Sequence, residues 1–360
     1  MTSLQQTISS GLDFLLEKQL PKGNFSCLVA EATSGLNEDM EHFDTGSRKG
    51  WVSIDNTNIF PATLTGLCLL QATDFPQTEK ILQKIDRLLL KQQHAFGTWN
   101  HYLPESPVYS YLPHDVDDTA CALDYLTKRG HVQPNNGNLF LANRNSDGRF
   151  FTWFTARKKW NASLKYWLVS MKELRHPLIA NAFWKSTESS RYDIDGVVNN
   201  NVILWLGERP ETAAAIQHIV EQVKDGKEAE FDLYYSNLHV IWYFLSKNIQ
   251  AGIPSFEPLR IILIQRILAT INPEGHVRNH PLETALALCS LLNLNASMDT
   301  FPASSMIRFL QQSQQADGSW KKRVVYMAGR KYIYGWGSEE LVTSLVIEAL
   351  SRSKKFFTLP

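Results

Sequence analysis

The feature that most restricts the fold is a turn that recurs along the chain: a polar residue, Gly, any residue, then an aromatic or apolar one. It occurs as QLPKGNF (Gly23, Phe25), QHAFGTW (Gly97, Trp99), NSDGRF (Gly148, Phe150), NPEGHV (Gly275, Val277) and QQADGSW (Gly318, Trp320). Every copy except the third closely follows a long helical pattern of apolar residues, and a second helical pattern lies downstream of each. Glycine just past a helix C-terminus supplies a positive φ, and the aromatic folds back onto the helix it has left. Each unit is therefore predicted to be a helical hairpin. Two copies agree further: Trp99 precedes Asp117 by 18 residues, and Trp320 precedes Ser338 by the same 18.

Outer helices are expected near 4–19, 77–93, 211–224, 258–271 and 304–315. Inner helices are expected near 58–70, 117–125, 162–172, 199–206, 236–246, 282–292 and 339–351. The inner series is apolar all round, as in NVILWL and TALALCSLL, and a helix hydrophobic on every side is buried. Polar helices outside and apolar helices inside predict an all-α fold, a single closed α/α barrel (toroid) of six to seven helical hairpins. Strand signals are nearly absent. No linker or low-complexity segment divides residues 1–360, so one domain is expected.

Lys plus Arg equals Asp plus Glu at 36 each, which gives no electrostatic footprint for nucleic acid. Cys27, Cys68, Cys121 and Cys289 are far apart, and the last three lie in apolar helical contexts, as expected of reduced core thiols in an intracellular protein. The N-terminal MTSLQQTISSGLDFLLEKQL reads as an amphipathic helix rather than a signal peptide. No apolar run approaches the ~20 residues needed to cross a bilayer. A cytoplasmic location is expected, with peripheral membrane contact through the tail SRSKKFFTLP, where basic residues adjoin Phe356 and Phe357.

The segment YLPHDVDDTACALDYL crowds Asp115, Asp117 and Asp118 against the start of an apolar helix. Aspartate at a helix start caps free N–H groups and suits the positive end of the dipole, which accounts for one or two of the three. The remaining carboxyl is crowded by like charges that raise its pKa. DVDDTA resembles the Asp-x-Asp-Asp-Thr-Ala motif of class II terpene cyclases, the family that includes squalene-hopene cyclase and the copalyl diphosphate synthases. QQADGSW and QHAFGTW resemble that family's Gln-Trp repeats. Larger members have two or three helical domains. This chain has length for one barrel, and in that respect is similar to the single-domain meroterpenoid cyclases typified by merosterolic acid synthase.

The resemblance implies a protonation-initiated cyclase with Asp117 as proton donor and Asp115 and Asp118 as its orienting partners. Crowding keeps one carboxyl neutral, and the helix N-terminus favours the anion left behind. The lipophilic substrate would be a prenylated aromatic acid, cyclised through carbocations. The first alternative is a farnesyl or geranylgeranyl diphosphate, with magnesium as cofactor; the second is a non-catalytic lipid-binding α/α barrel. No cofactor is otherwise expected. A zinc site like that of protein prenyltransferase β subunits would need Asp, Cys and His, and Cys121 after Asp118 lacks a third ligand at suitable spacing.

Aromatic faces near the starts of the inner helices would stabilise the cations: Trp51, Phe60, Tyr109, Trp160, Tyr234, Tyr332, Tyr334 and Trp336, of which two or three are expected to line the cavity. Trp99 and Trp320 are read as structural staples, and His114 as a structural donor. Asn199 to Asn201 either cap their helix or contact the substrate or the aspartate cluster. Basic loops at Arg157, Lys158 and Lys159, at Lys321, Lys322 and Arg323, and at Arg330 and Lys331 are expected to draw an anionic head group to the mouth.

Overall fold

The computed structural model describes residues 3–31, 51–52, 58–157, 163–329 and 334–357. All five signature glycines, Gly23, Gly97, Gly148, Gly275 and Gly318, have positive φ. Trp99 and Trp320 are fully buried and make matching bonds. Trp99 Nε1 donates to Leu89 O at 2.8 Å and its backbone N–H to Thr119 Oγ1 at 3.0 Å. Trp320 Nε1 donates to Leu310 O at 2.7 Å and its backbone N–H to Thr343 Oγ1 at 3.2 Å. Each tryptophan thus fastens the last turn of one helix to the first turns of the next, the staple role its turn predicts.

The outer helices are α1 (Leu4–Lys18), α3 (Pro76–Gln92), α9 (Ala213–Lys224), α11 (Arg260–Leu268) and α13 (Ala303–Gln312). The inner series comprises α2 (Phe60–Leu69), α4 (Val116–Lys128), α8 (Gly196–Leu206), α10 (Leu238–Gln250), α12 (Pro281–Asn293) and α14 (Glu339–Phe357). Every residue of α12 is buried, as its all-round apolar pattern requires. The inner helices form a cycle of neighbours: α2 packs on α4, α4 on α8, α8 on α10, α10 on α12, α12 on α14, and α14 returns to α2. The outer helices lie against them, α1 on α14, α3 on α2, α9 on α8, α11 on α10 and α12, and α13 on α12 and α14.

Two expectations need correction. The inner helix expected at 162–172 is instead α6 (Leu164–Ser170), which lies outside the cycle and follows a short α5 (Gly137–Ala142). A 3-10 turn, Lys172–Arg175, and α7 (Pro177–Ser186) continue from it. Leu164, Leu168, Met171, Leu174, Leu178 and Ile179 are all exposed here, so the apolar content that resembled a buried helix faces outward.

Short strands also occur, where few were expected. Strands β1 (Leu28–Glu31), β2 (Trp51–Val52), β5 (Tyr326–Met327) and β6 (Tyr334–Gly337) form an antiparallel sheet in the order β2-β1-β6-β5. Strands β3 (His114–Asp115) and β4 (Trp153–Phe154) pair with His114 opposite Phe154 and Asp115 opposite Trp153. β3 runs straight into α4 and β6 into α14, so these strands set where two inner helices begin. The four cysteines are free and buried.

Gly318 gives the sharpest test of the turn. A Cβ there would lie 2.3 Å from Ser10 O, and φ is +90°. Gly130, also at positive φ (+82°), has open space around it. Gly318→Ala should lower unfolding free energy by about 3 kcal/mol or more, and Gly130→Ala by only about 1 kcal/mol, measured by urea denaturation. Equal losses would contradict the packing described.

Candidate active site

The three aspartates divide the work that the motif left ambiguous. Asp115 is the N-cap of α4: its side chain accepts from Asp118 N at 3.0 Å, and its own N–H donates to Trp99 O at 2.9 Å. Ser338 holds the equivalent cap before α14, accepting from Leu341 N at 3.2 Å. The repeat therefore aligns Ser338 with Asp115, and the shared spacing to Asp117 is not a structural equivalence. Asp118 turns to His101, whose Nδ1 lies 2.7 Å from its Oδ2.

Asp117, only 7% exposed, is left for other work. Its Oδ1 accepts from Asn201 Nδ2 at 2.7 Å and its Oδ2 from the Tyr235 hydroxyl at 2.7 Å. Burial pushes its pKa up to about 7, against the lowering effect of those two donors, with Asp118 and Asp195 adding to the rise. Asp115 is likewise raised well above the carboxylate range by burial and by Asp118 and Asp117. The result is an acid that holds its proton near neutrality and whose anion, once formed, keeps two strong donors.

A second carboxylate pair aims Tyr235. Asp195 caps α8 through Val198 N at 2.9 Å and also accepts from Leu233 N at 2.6 Å and Tyr234 N at 3.0 Å. Asp232 accepts from Val197 N at 2.9 Å and Tyr235 N at 2.8 Å. Burial and Asp195 drive Asp232 well above the ordinary range. Of the three asparagines none caps α8, since Asp195 does. Asn199 bonds Phe150 N and O, Asn200 donates to Phe244 O, and Asn201 reaches Asp117.

Asp117 opens onto a pocket of about 640 Å³, open solvent at its entrance included. Of the expected aromatics, Phe60, Tyr234 and Trp336 line it. Tyr109 does not: it stacks on His94 and lies 4.3 Å beneath Lys172 Nζ. Tyr334 is 41% exposed and outside the lining. The side chain of Trp51, and Trp160 and Tyr332 entirely, lie outside the described residues.

Sequence reasoning missed Tyr235, Tyr326, Trp153, Phe183 and His101, all in the lining. Tyr326 stacks on Trp336 at 5.7 Å and meets Phe60 in a T-shaped contact at 5.0 Å, so these three lining rings form one aromatic cluster. His114 lies outside the lining, with Nδ1 2.6 Å from Thr98 Oγ1, as a structural group would.

Of the basic residues expected at an anion-attracting mouth, Arg157, Lys322 and Arg323 are engaged within the protein. Arg157 is spent on Asn143 Oδ1 and on backbone carbonyls and covers the Phe151 ring at 3.6 Å. Lys322 pairs with Glu339 at 3.0 Å, and buried Arg323 with Glu283 at 2.7 Å. Lys158, Lys159, Arg330 and Lys331 are outside the described residues. His101, Asp115 and Asp118 bring potential ligand atoms within 4.8 Å of one another, a geometry able to take a divalent ion; Cys121 is not in that group.

The sequence matches no protein-family model and no curated protein. The fold, however, is that of type II terpene cyclases. MstE from Scytonema, a type II terpene cyclase solved as a variant in complex with geranylgeranyl dihydroxybenzoate, its substrate, superposes with a TM-score of 0.64 at 15% identity, over 98% of this chain and 97% of that one. The apo form of MstE gives 0.62 at 15% identity, over 98% and 99%. A protein from Actinoplanes gives 0.67 at 16% identity, over 98% and 100%. The likeness anticipated from the Asp and Gln-Trp motifs is thus found across nearly the whole chain.

The raised pKa of Asp117 has a thermodynamic sign. Between about pH 4 and pH 7 the folded chain holds a proton that the unfolded chain has released, so this group weakens folding as pH rises through that window. Asp117→Asn removes the titration, and the Tyr235 hydroxyl can turn to accept from the new amide. The variant should show a flatter dependence of Tm on pH from 5 to 8, and a Tm at pH 8 equal to or above that of the unmodified protein. Identical pH slopes would contradict the assignment.

Proposed function

We propose that the chain is a class II, protonation-initiated terpene cyclase, built over residues 1–360 as one α/α barrel domain around six inner helices, whose substrate is a prenylated aromatic acid. One observation carries the reading: a buried acid, Asp117, with two dedicated donors on its oxygens, set in an aromatic-lined pocket. The cycle of six inner helices supports the barrel. The substrate class is supported by the shared fold with MstE and its geranylgeranyl dihydroxybenzoate complex.

In the first step the Asp117 carboxyl gives its proton to one carbon of the terminal alkene. The other carbon becomes a tertiary cation, and the next double bonds attack in turn. The carboxylate left behind is held by Asn201 and Tyr235 while Asp115 and Asp118 stay fixed by the α4 N-terminus and His101. Phe60, Tyr326 and Trp336 present their faces to the moving charge, each contributing up to ~2 kcal/mol where water is excluded. None of these steps calls on a metal.

Purified protein should convert geranylgeranyl dihydroxybenzoate to a cyclic isomer of equal mass without added magnesium. Asp117→Asn should slow this by about 10²–10⁴-fold, the usual worth of a positioned acid. Since the protonated form is the active one, the rate should fall about tenfold per pH unit above about pH 7. Full activity of Asp117→Asn would overturn the mechanism. Strict magnesium-dependent turnover of geranylgeranyl or farnesyl diphosphate alone would move the substrate to a diphosphate. Binding of these lipids without turnover would leave a lipid-binding barrel.

The side chains of Phe356 and Phe357, expected to anchor the tail, lie outside the described residues. We also propose peripheral membrane contact through the outward face of α6, the 3-10 turn and α7. Its exposed leucines are interspersed with exposed Lys165, Arg175 and Lys185, and the segment's acidic residue, Glu173, is buried. α7 also sends Phe183 into the pocket lining, so this face adjoins the route to Asp117. The protein should float with anionic liposomes, and Leu178→Asp combined with Ile179→Asp should reduce the floated fraction severalfold. Equal flotation of both forms would remove this contact.

A further inference from the structure

Cyclisation is an isomerisation, so the proton that enters at Asp117 must be matched by one that leaves the final cation. Several polar groups line the pocket, and their partners separate them. Tyr235 is committed to Asp117. His101 is committed to Asp118, inside the acid cluster where the first bond forms, and so faces the start of the polyene. Tyr326 accepts from Asn58 Nδ2 at 3.2 Å and lies 3.5 Å from Cys27 Sγ, with no carboxylate bonded to its hydroxyl among the described residues.

Tyr234 differs from all of these. Its hydroxyl donates to Asp193 Oδ2 at 2.8 Å and accepts from Trp153 Nε1 at 3.3 Å. Asp193 is fully buried, and its Oδ2 also accepts from Ser190 N at 2.6 Å. The phenolic proton therefore points at Asp193, leaving the oxygen to act as an acceptor toward its other neighbours. Trp153 stands edge-on to Trp184 of α7 at 5.6 Å, which places this wall beside the exposed helix, whereas Asn201 draws Asp117 toward the inner helices. Tyr234 is thereby the lining hydroxyl whose proton is held by a carboxylate outside the aspartate cluster of α4.

Resting on the cyclase reading, we propose that Tyr234 and Asp193 form the base that ends the cyclisation. The C–H proton next to the last cation passes to the Tyr234 oxygen as the phenolic proton passes to Asp193. The C–H electron pair becomes the new C=C bond. One proton has left Asp117 and one has reached Asp193, so the substrate keeps its composition; exchange with solvent resets both carboxyls.

The test uses the full chain with Tyr234→Phe and, separately, Asp193→Asn, reading substrate consumption, product ratio by mass spectrometry, and Tm. Because the acid is untouched, both variants should still consume geranylgeranyl dihydroxybenzoate. The native alkene should fall about fivefold or more as a share of product, replaced by isomeric alkenes and water-captured alcohols. An unchanged product ratio in Tyr234→Phe, with or without a lower Tm, would overturn the proposal and leave Tyr234 a structural residue. Lack of turnover by the unmodified enzyme would overturn the cyclase reading and this one with it.

Discussion

The site depends on a single carboxyl group being buried and yet well bonded. Removing Asp117 from water raises its pKa, and two hydrogen bonds from neutral donors pull it part of the way back. Each pKa unit corresponds to about 1.4 kcal/mol, so the net rise stores a few kcal/mol against the ionised form. That balance suits an acid of its kind. With less burial it would be ionised at rest, and with no donors its conjugate base would be too unstable to form.

Keeping that balance takes a surrounding layer that does no chemistry. Tyr235 points at Asp117 because Asp195 and Asp232 grip the backbone N–H groups of residues 233–235, and the same Asp195 caps the helix that carries Asn201. Both donors to the acid are therefore placed by one buried carboxylate pair. Asp115 plays the matching part on the acid's own side, fixing the start of α4 by its cap and by its bond to the Trp99 turn. The staple tryptophan that shapes a hairpin also helps set the height at which the acid emerges.

Much of this was legible in the sequence. The Gly-x-aromatic turns and the contrast between polar and apolar helices located both helix series, and the aspartate motif marked the start of α4, where Asp117 is buried. Periodicity reports which residues are apolar and how they are spaced, and cannot say what covers them. For that reason 162–172 read as a buried helix although Leu164, Leu168 and Met171 face outward. The same limit hid Tyr235 and left Asn201 one of two choices, because a hydrogen bond across 118 or 84 residues has no local signature. The basic loops misled for a related reason: charge is visible in a sequence, while the carbonyls that engage Arg157 and the carboxylate that pairs with Arg323 are not.

The cycle of inner helices closes between α14 and α2, and the rim sheet closes between β6 and β1, so the last segments of the chain complete what the first ones begin. Contacts that span most of a polypeptide form late, because the intervening loop entropy must be overcome before they are rewarded. Each hairpin can assemble as it emerges during synthesis, but the ring cannot close until α14 is free. A nascent chain would therefore carry its apolar inner helices with one flank uncovered, making the interval before closure the time at which it is most exposed to aggregation.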